Sequence, residues 1–284
     1  MELCIKSRSS QGDDLREFAD MYAKVTGFSE ADIEQFLVKQ LGEVEGKALM
    51  RHLWKEKLID TAKVPILCLF FSVLWKKMKV KFTTKNRTMV FLEIVQCILD
   101  YDYGKGAYDQ PRTVKDCKDI LADLGEVALE GLLSDDLIFE YGKVKQIKGC
   151  EGIINGFLQI TEDTENIRPS KRVSFIHKTI QEFLAAWFVV HKLVPERNLG
   201  RLQEQARDSE SCLRLENVFL FISGLPHDGE GARAGAGAGA ELVLRHLTKV
   251  NREDRNLWFM QTIVLPGQSA KTCYDLTDPQ KRFH

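Results

Sequence analysis

The chain has 284 residues, 44% of them hydrophobic, with 40 basic and 41 acidic side chains and a formal charge of −1. That length and apolar content can bury a substantial core, in one large or two to three smaller domains, and they exclude a disordered tail. Near-neutrality without a long lysine–arginine block argues against nucleic acid or a membrane surface as the partner.

The N-terminus, MELCIKSRSSQGDD, turns polar after five residues and does not read as a secretory signal. Asp13 to Val25 places Leu15, Phe18, Ala19, Tyr22 and Val25 at helical spacing, and Thr26-Gly27-Phe28 ends that helix. Ser29 offers an N-cap, with Asp32 three positions on in a capping-box arrangement, and opens a helix over Glu30 to Leu41. Val44 to Trp54 forms a third amphipathic helix. Pro65 then opens an apolar helix from the first helical position, where a proline loses no hydrogen bond. Its uncharged run, Val64 to Trp75, is twelve residues long, short of the roughly 20 that span a bilayer. The basic stretch WKKMKVKFTTKNR at 75 to 87 reads as a solvated helix end and loop. Thr84 to Tyr101 is a further helix with Val90, Ile94, Val95 and Ile98 inward, followed by a glycine-rich loop from Tyr103 to Pro111. Lys115 to Leu133 is a long helix, and Leu137 to Tyr141 a short strand ended by Gly142.

From Gly149 to Ile160 the spacing of Ile153, Ile154, Phe157 and Leu158 predicts a short helix, with a polar loop over Thr161 to Arg172. Val173 to Ile176 predicts a short strand running directly into a helix at His177. In that helix Ile176, Ile180, Phe183, Leu184, Trp187 and Val190 make one buried stripe, while His177, Gln181 and Glu182 lie off it. An imidazole on the first turn sits where backbone N–H groups favour a negative group. From these residues alone, a packed or surface histidine satisfied by a neighbour is the other reading. A second helical region runs from Leu199 to Leu225. HDGEGARAGAGAGA, 227 to 240, is low-complexity sequence that reads as a flexible linker, and the tail beyond it carries one helix through Leu242, Leu244, Leu247 and Val250.

The seven cysteines (Cys4, Cys68, Cys97, Cys117, Cys150, Cys212, Cys273) are odd in number and never spaced CxxC. They read as thiols in a reducing compartment, with neither a zinc site nor a disulfide framework, and the expected location is cytoplasmic. Helix, helix, strand, short helix, loop, strand is the order of a winged-helix unit. The expected fold is therefore mainly α: a helical domain, a winged-helix domain with a small β-wing, and a second helical region. No repeat of 20 to 50 residues is visible, so no leucine-rich array lies within these residues.

Three segments carry a resemblance. VPILCLFFSVLWK at 64 to 76, ILADLGEVALEGLLSDDLIFE at 120 to 140 and VSFIHKTIQEFLAAWFVV at 173 to 190 resemble, in order and spacing, the C-terminal half of a NACHT domain from the NOD-like receptor family. The string F-I-H-x-T-x-Q-E-F-L-A-A is the most specific. Members of that family are AAA+-related signalling ATPases of innate immunity, in which a nucleotide-binding core precedes a first helical domain, a winged-helix domain and a second helical domain. The resemblance covers roughly residues 13 to 225. It implies a residual linker and first helix at 1–28, helical domain 1 at 29–82, a winged-helix domain at 83–192 and the start of helical domain 2 at 193–226. The Gly/Ala linker at 227–240 and a tail at 241–284 follow.

The resemblance also implies roles for two residues. His177 matches the winged-helix histidine that donates a hydrogen bond to the β-phosphate of ADP and locks the closed form. Such a bond would add about 1.5–3 kcal/mol. Pro65 matches the proline that packs on the adenine, a position that a simple helix-starting proline would also fill. Glu182 reads as a structural hydrogen-bond acceptor.

The departure from the family is equally informative. A nucleotide-hydrolysing loop needs GxxxxGK[ST], and the Gly-Lys pairs Gly46-Lys47-Ala48, Gly104-Lys105-Gly106 and Gly142-Lys143-Val144 all fail it. No apolar strand ends in a metal-holding acidic cluster, and no GxSxG elbow accompanies Ser174 and His177. The chain is not expected to be an enzyme by itself, and ADP or ATP is expected only with a complete NACHT domain. By the resemblance it begins just after the nucleotide-binding core, so Met1 is either an internal methionine or the start of a short isoform. The expected partner is the core of the same or another NACHT protein, in homo- or hetero-oligomers. The alternative is a stand-alone interaction module or decoy whose exposed apolar faces bind other NACHT proteins. Duplex DNA binding by the winged helix is disfavoured by the near-zero charge.

Overall fold

In the computed structural model the described residues are 27–78, 87–104, 111–150, 154–163, 170–226 and 237–254. The predicted helix at Asp13 to Val25 lies outside them, as do most of the basic stretch at 75 to 87 and residues 105–110 of the glycine-rich loop. The chain divides into two compact units, Met1–Ser72 and Val73–His284. Residues 79–86, around the boundary expected at 82/83, are outside the described ones.

The first unit contains α1 (Glu30–Leu41), α2 (Glu43–Lys55), α3 (Ile59–Ala62) and the start of α4 (Pro65–Met78). Ser29 caps α1 as its sequence requires. Its hydroxyl accepts the Asp32 N–H at 3.2 Å while Asp32 Oδ2 accepts the Ser29 N–H at 2.9 Å, a reciprocal box that satisfies two otherwise unpaired donors. α1 packs on α2, and Ile33 and Leu37 of the first and Leu49 and Leu53 of the second are fully buried.

The second unit is built on α5 (Arg87–Gly104) and α6 (Lys118–Ser134), followed by β1 (Phe139–Glu140), α7 (Tyr141–Lys145), α8 (Ile154–Phe157), β2 (Leu158–Asp163), β3 (Ser170–Phe175) and α9 (Lys178–Phe188). The three strands form an antiparallel sheet of order β1-β3-β2, in which Val173 stands opposite both Phe139 and Ile160. A mainly helical chain with one small three-stranded antiparallel sheet is the predicted fold class: a helical part and a winged-helix-like part. Several details differ from expectation, and residues 170–172, read as the end of the polar loop, already belong to β3. Residues 158–163, read as the end of a helix and a polar loop, are strand β2, because six residues of backbone pair with β3 and that pairing outweighs local helical spacing. The strand expected at Leu137 to Tyr141 is confined to two residues, since Tyr141 already starts α7.

Beyond α9 the helix widens into a π turn at Val189–Leu193 and tightens into a 3₁₀ turn at Val194–Glu196. Then come α10 (Arg201–Gln205), α11 (Ser209–Arg214), α12 (Glu216–Gly224) and α13 (Ala238–Asp254). Residues 238–240, expected in the linker, belong to α13, and Ala240, Val243, Leu247 and Val250 are buried. His246 also faces inward, its Nε2 2.8 Å from the Ala206 carbonyl oxygen. Among the described residues no helix is long and apolar enough to cross a membrane.

The tightest packing in the second unit joins α6 to α9. A Cβ built on Gly125 would lie 2.2 Å from the Leu184 carbonyl oxygen and 2.9 Å from Phe188 Cβ. A Cβ on Gly131 would meet the Phe139 ring. The two glycines of the L-G-x-x-A-L-E-G-L-L string are thus both close-approach positions. Alanine is the better helix former by about 1 kcal/mol, yet Gly125→Ala is expected to destabilise the chain by about 1–3 kcal/mol through overpacking. Urea unfolding measures this; an equal or higher midpoint for the variant would mean the two helices are further apart.

Candidate functional site

His177 follows β3 after a single residue, Ile176, at which the chain bends. Val173 and Phe175 are buried beneath the sheet, and the Ile176 N–H donates to the Phe157 carbonyl at 3.0 Å, which fixes where the strand ends. His177 itself has extended backbone (φ −156°, ψ 144°) and is the N-cap of α9 rather than a residue of its first turn. Its ring Nδ1 accepts the Thr179 N–H at 3.1 Å. Its carbonyl accepts the Ile180 N–H at 3.1 Å and the Gln181 N–H at 3.2 Å. The expectation that outward-pointing backbone donors would favour an anion here is corrected: three of the first four N–H groups of α9 are taken up by His177 itself. What the half-buried residue offers an anion is its imidazole. With Nδ1 acting as acceptor, a neutral ring carries its hydrogen on Nε2 and is a donor there. That donor suits an acceptor-only phosphate oxygen.

The remainder of α9 is pinned on both sides. Gln181 Nε2 donates to the Ala128 carbonyl at 3.2 Å and Trp187 Nε1 to the Lys118 carbonyl at 3.1 Å, both on α6. On the opposite side Asn217 of α12 donates to Glu182 Oε2 at 3.0 Å. Lys178 Nζ lies 3.9 Å from Glu182 Oε1, one turn back along α9. Glu182 is 3% exposed. Burial pushes its carboxyl up to about 7, against the lowering pull of Lys178, the Asn217 hydrogen bond and Arg87; Glu216 adds to the rise. Arg87, at the start of α5, completes the group, and its Nε finds no hydrogen-bond partner among the described residues. Glu182 is an acceptor inside a packed interface.

Pro65 occupies the first position of α4 and is exposed. It belongs to the first unit and His177 to the second, each described within its own. Among the described residues the cysteines are buried thiols rather than exposed nucleophiles. Cys68, Cys97, Cys117, Cys150 and Cys212 are buried and in no disulfide. Burial pushes the Cys68 thiol up to about 12 and raises Cys97 and Cys117 as well, which suppresses the reactive thiolate. Among the described residues no group of three or more His, Cys, Asp or Glu is placed to hold a metal ion.

Comparison with known proteins agrees in direction with the segments that flank this site. The chain is 23% identical over 214 residues to NACHT, LRR and PYD domains-containing protein 12 of Homo sapiens, covering 70% of this chain and 19% of that protein. It is 22% identical over 203 residues to NACHT, LRR and PYD domains-containing protein 3 of Bos taurus, and 23% over 208 residues to the same protein of Macaca mulatta. These similarities support a NACHT-related region in this chain. The chain spans about a fifth of the length of these relatives (19%, 18% and 19%). No protein-family model matches it.

The residues that sequence reasoning missed are Asn217, which donates to Glu182, and Arg87, whose charge acts on it. Nothing in the helical spacing of α9 pointed to them, because they come from α12 and α5. The one available signal was that the eight residues after Glu182, Phe183 to Val190, are all apolar, as expected of a helix buried on both sides.

Proposed function

We propose that this chain is a regulatory, non-catalytic portion of a NOD-like receptor of innate immunity, one that stabilises the ADP-bound closed state when a nucleotide-binding core is present. In this reading α1 to α4 form helical domain 1, α5 to α9 the winged-helix domain, and α10 to α12 the start of the second helical domain. The protein acts in the cytoplasm. The observation that carries the proposal is the His177 imidazole at the start of α9, its Nδ1 accepting the Thr179 N–H, within a string that resembles the NACHT winged helix and is supported by the distant similarities above. ADP presents acceptor-only phosphate oxygens. The chain's part is to hold a donor against one of them, with Pro65 stacking on the base and the core supplying the phosphate loop and metal. Hydrolysis belongs to the core, and the chain has no catalytic residue of its own.

The test is retention of fluorescent ADP by this chain combined with a NACHT nucleotide-binding core. His177→Ala alone would confuse two losses, since it removes the cap as well as the donor. His177→Asn keeps a cap oxygen for the Thr179 N–H while withdrawing the Nε2 donor. Both variants are expected to lose ADP roughly ten-fold faster or more. Unchanged retention in His177→Asn would reduce His177 to a helix cap and remove the phosphate contact. A second reading, an interaction module that binds other NACHT proteins, is favoured by the exposure of large apolar side chains: Val44 at 79%, Trp54 at 51%, Tyr101 at 60% and Ile138 at 52%.

A further inference from the structure

Within the proposed phosphate contact, the side chain that would touch the ligand is held by a residue that would not. Imidazole can present either nitrogen as a donor, and its ring can flip, so a bare histidine at a strand end is an ambiguous reader of an anion. The surroundings of His177 remove the ambiguity. The Thr179 N–H points at Nδ1 from 3.1 Å. Thr179 is only 9% exposed, so water does not readily replace that acceptor. A flipped ring would set a C–H where Nδ1 now accepts, leaving the Thr179 N–H without that acceptor in a part-buried place. The Nδ1–H form would set donor against donor.

We propose that the backbone N–H of Thr179 is a positioning group, which fixes both the tautomer and the orientation of His177 so that residue 177 presents Nε2–H to a phosphate oxygen. This rests on the reading of His177 as a phosphate contact, but the positioning itself exists without any nucleotide. It separates the role of Thr179 from its side chain: Thr179→Ala keeps the N–H, whereas Thr179→Pro deletes it at a first-turn position that tolerates proline.

The experiment is a long-range proton–nitrogen correlation spectrum of the ¹⁵N-histidine-labelled chain at neutral pH, without nucleotide. The His177 signal is assigned by its disappearance in His177→Asn. Wild type and Thr179→Ala are expected to show a single tautomer, with Nδ1 unprotonated and Nε2 protonated. Thr179→Pro is expected to show both tautomers in exchange. A protonated Nδ1 in the wild type overturns the proposal, and so does a Thr179→Pro ring that keeps the wild-type pattern. If Thr179→Pro does not fold, the wild-type spectrum alone still decides between the two tautomers. Retention of ADP by the chain with a NACHT core is then read separately. An Nε2–H ring with retention unaffected by His177→Asn leaves the positioning standing and removes the phosphate contact. Loss of retention in His177→Asn beside an Nδ1–H ring does the reverse.

Discussion

Phe183→Ala is expected to lower the unfolding free energy by about 3–5 kcal/mol, the range for emptying a buried phenylalanine site. Phe183 is fully buried on α9, where three helices converge. Its ring centroid lies 6.0 Å from Phe91 of α5, 5.2 Å from Phe221 of α12 and 6.4 Å from Trp187 on its own helix. Phe91 and Phe221 also touch each other, at 4.9 Å, so the three phenylalanines close a triangle. Removing one corner strips contacts from both others, and neither neighbouring helix can collapse into the space without leaving the other. Urea unfolding followed by circular dichroism reads the effect, with Phe183→Leu as the milder comparison at below about 1.5 kcal/mol. A loss under about 1 kcal/mol for alanine would mean that the site closes up or is already loose.

Glu182→Gln is expected to stabilise the chain above neutral pH and leave it unchanged in acid. Burial is the main cause that raises the Glu182 carboxyl from 4.5 to about 7 in the folded state. The penalised form is the carboxylate, so folding favours the protonated acid. Stability from this group is complete below pH 4.5, is lost as pH rises through about 7, and is level above that. A shift of that size corresponds to about 3 kcal/mol. Glutamine cannot ionise, and its amide oxygen can still accept the Asn217 hydrogen bond. The difference between variant and wild type should therefore grow from near zero at pH 4.5 to about 3 kcal/mol at pH 8. A difference that does not vary with pH would show that Glu182 ionises as an ordinary surface carboxyl, with water reaching the α9–α12 interface.

These two neighbours on one helix show what could be read in advance. Phe183 lay on the apolar stripe and was legible from spacing alone. Glu182 lay off the stripe, where a helix with one buried face turns to solvent, and its burial follows from a second helix, α12, arriving more than 30 residues later in the chain. The same division holds elsewhere. The box between Ser29 and Asp32 and the proline start of α4 are local events, decided within four residues, and both appear where expected. Strand β2 is not local. Its residues Leu158 and Ile160 gain their conformation by pairing with Phe175 and Val173, which outweighs the helical spacing read up to Ile160. At the candidate site the sequence pointed to His177 by resemblance. The consumption of the helix's own donors by its ring and carbonyl emerged only from the backbone geometry of the cap.

The Gly/Ala tract has a different lesson. A Cβ on Gly239 would stand 2.7 Å from the Ile222 carbonyl oxygen, so α13 approaches α12 through a residue that must stay glycine. From Ala234 to Ala240 the two residue types alternate strictly. Deleting or duplicating one Gly-Ala pair anywhere in that repeat leaves glycine two places before Glu241 and alanine on either side of it. The repeat can therefore change length in steps of two while the helix keeps its contact surface, which makes this junction tolerant of the copying slips to which short repeats are prone.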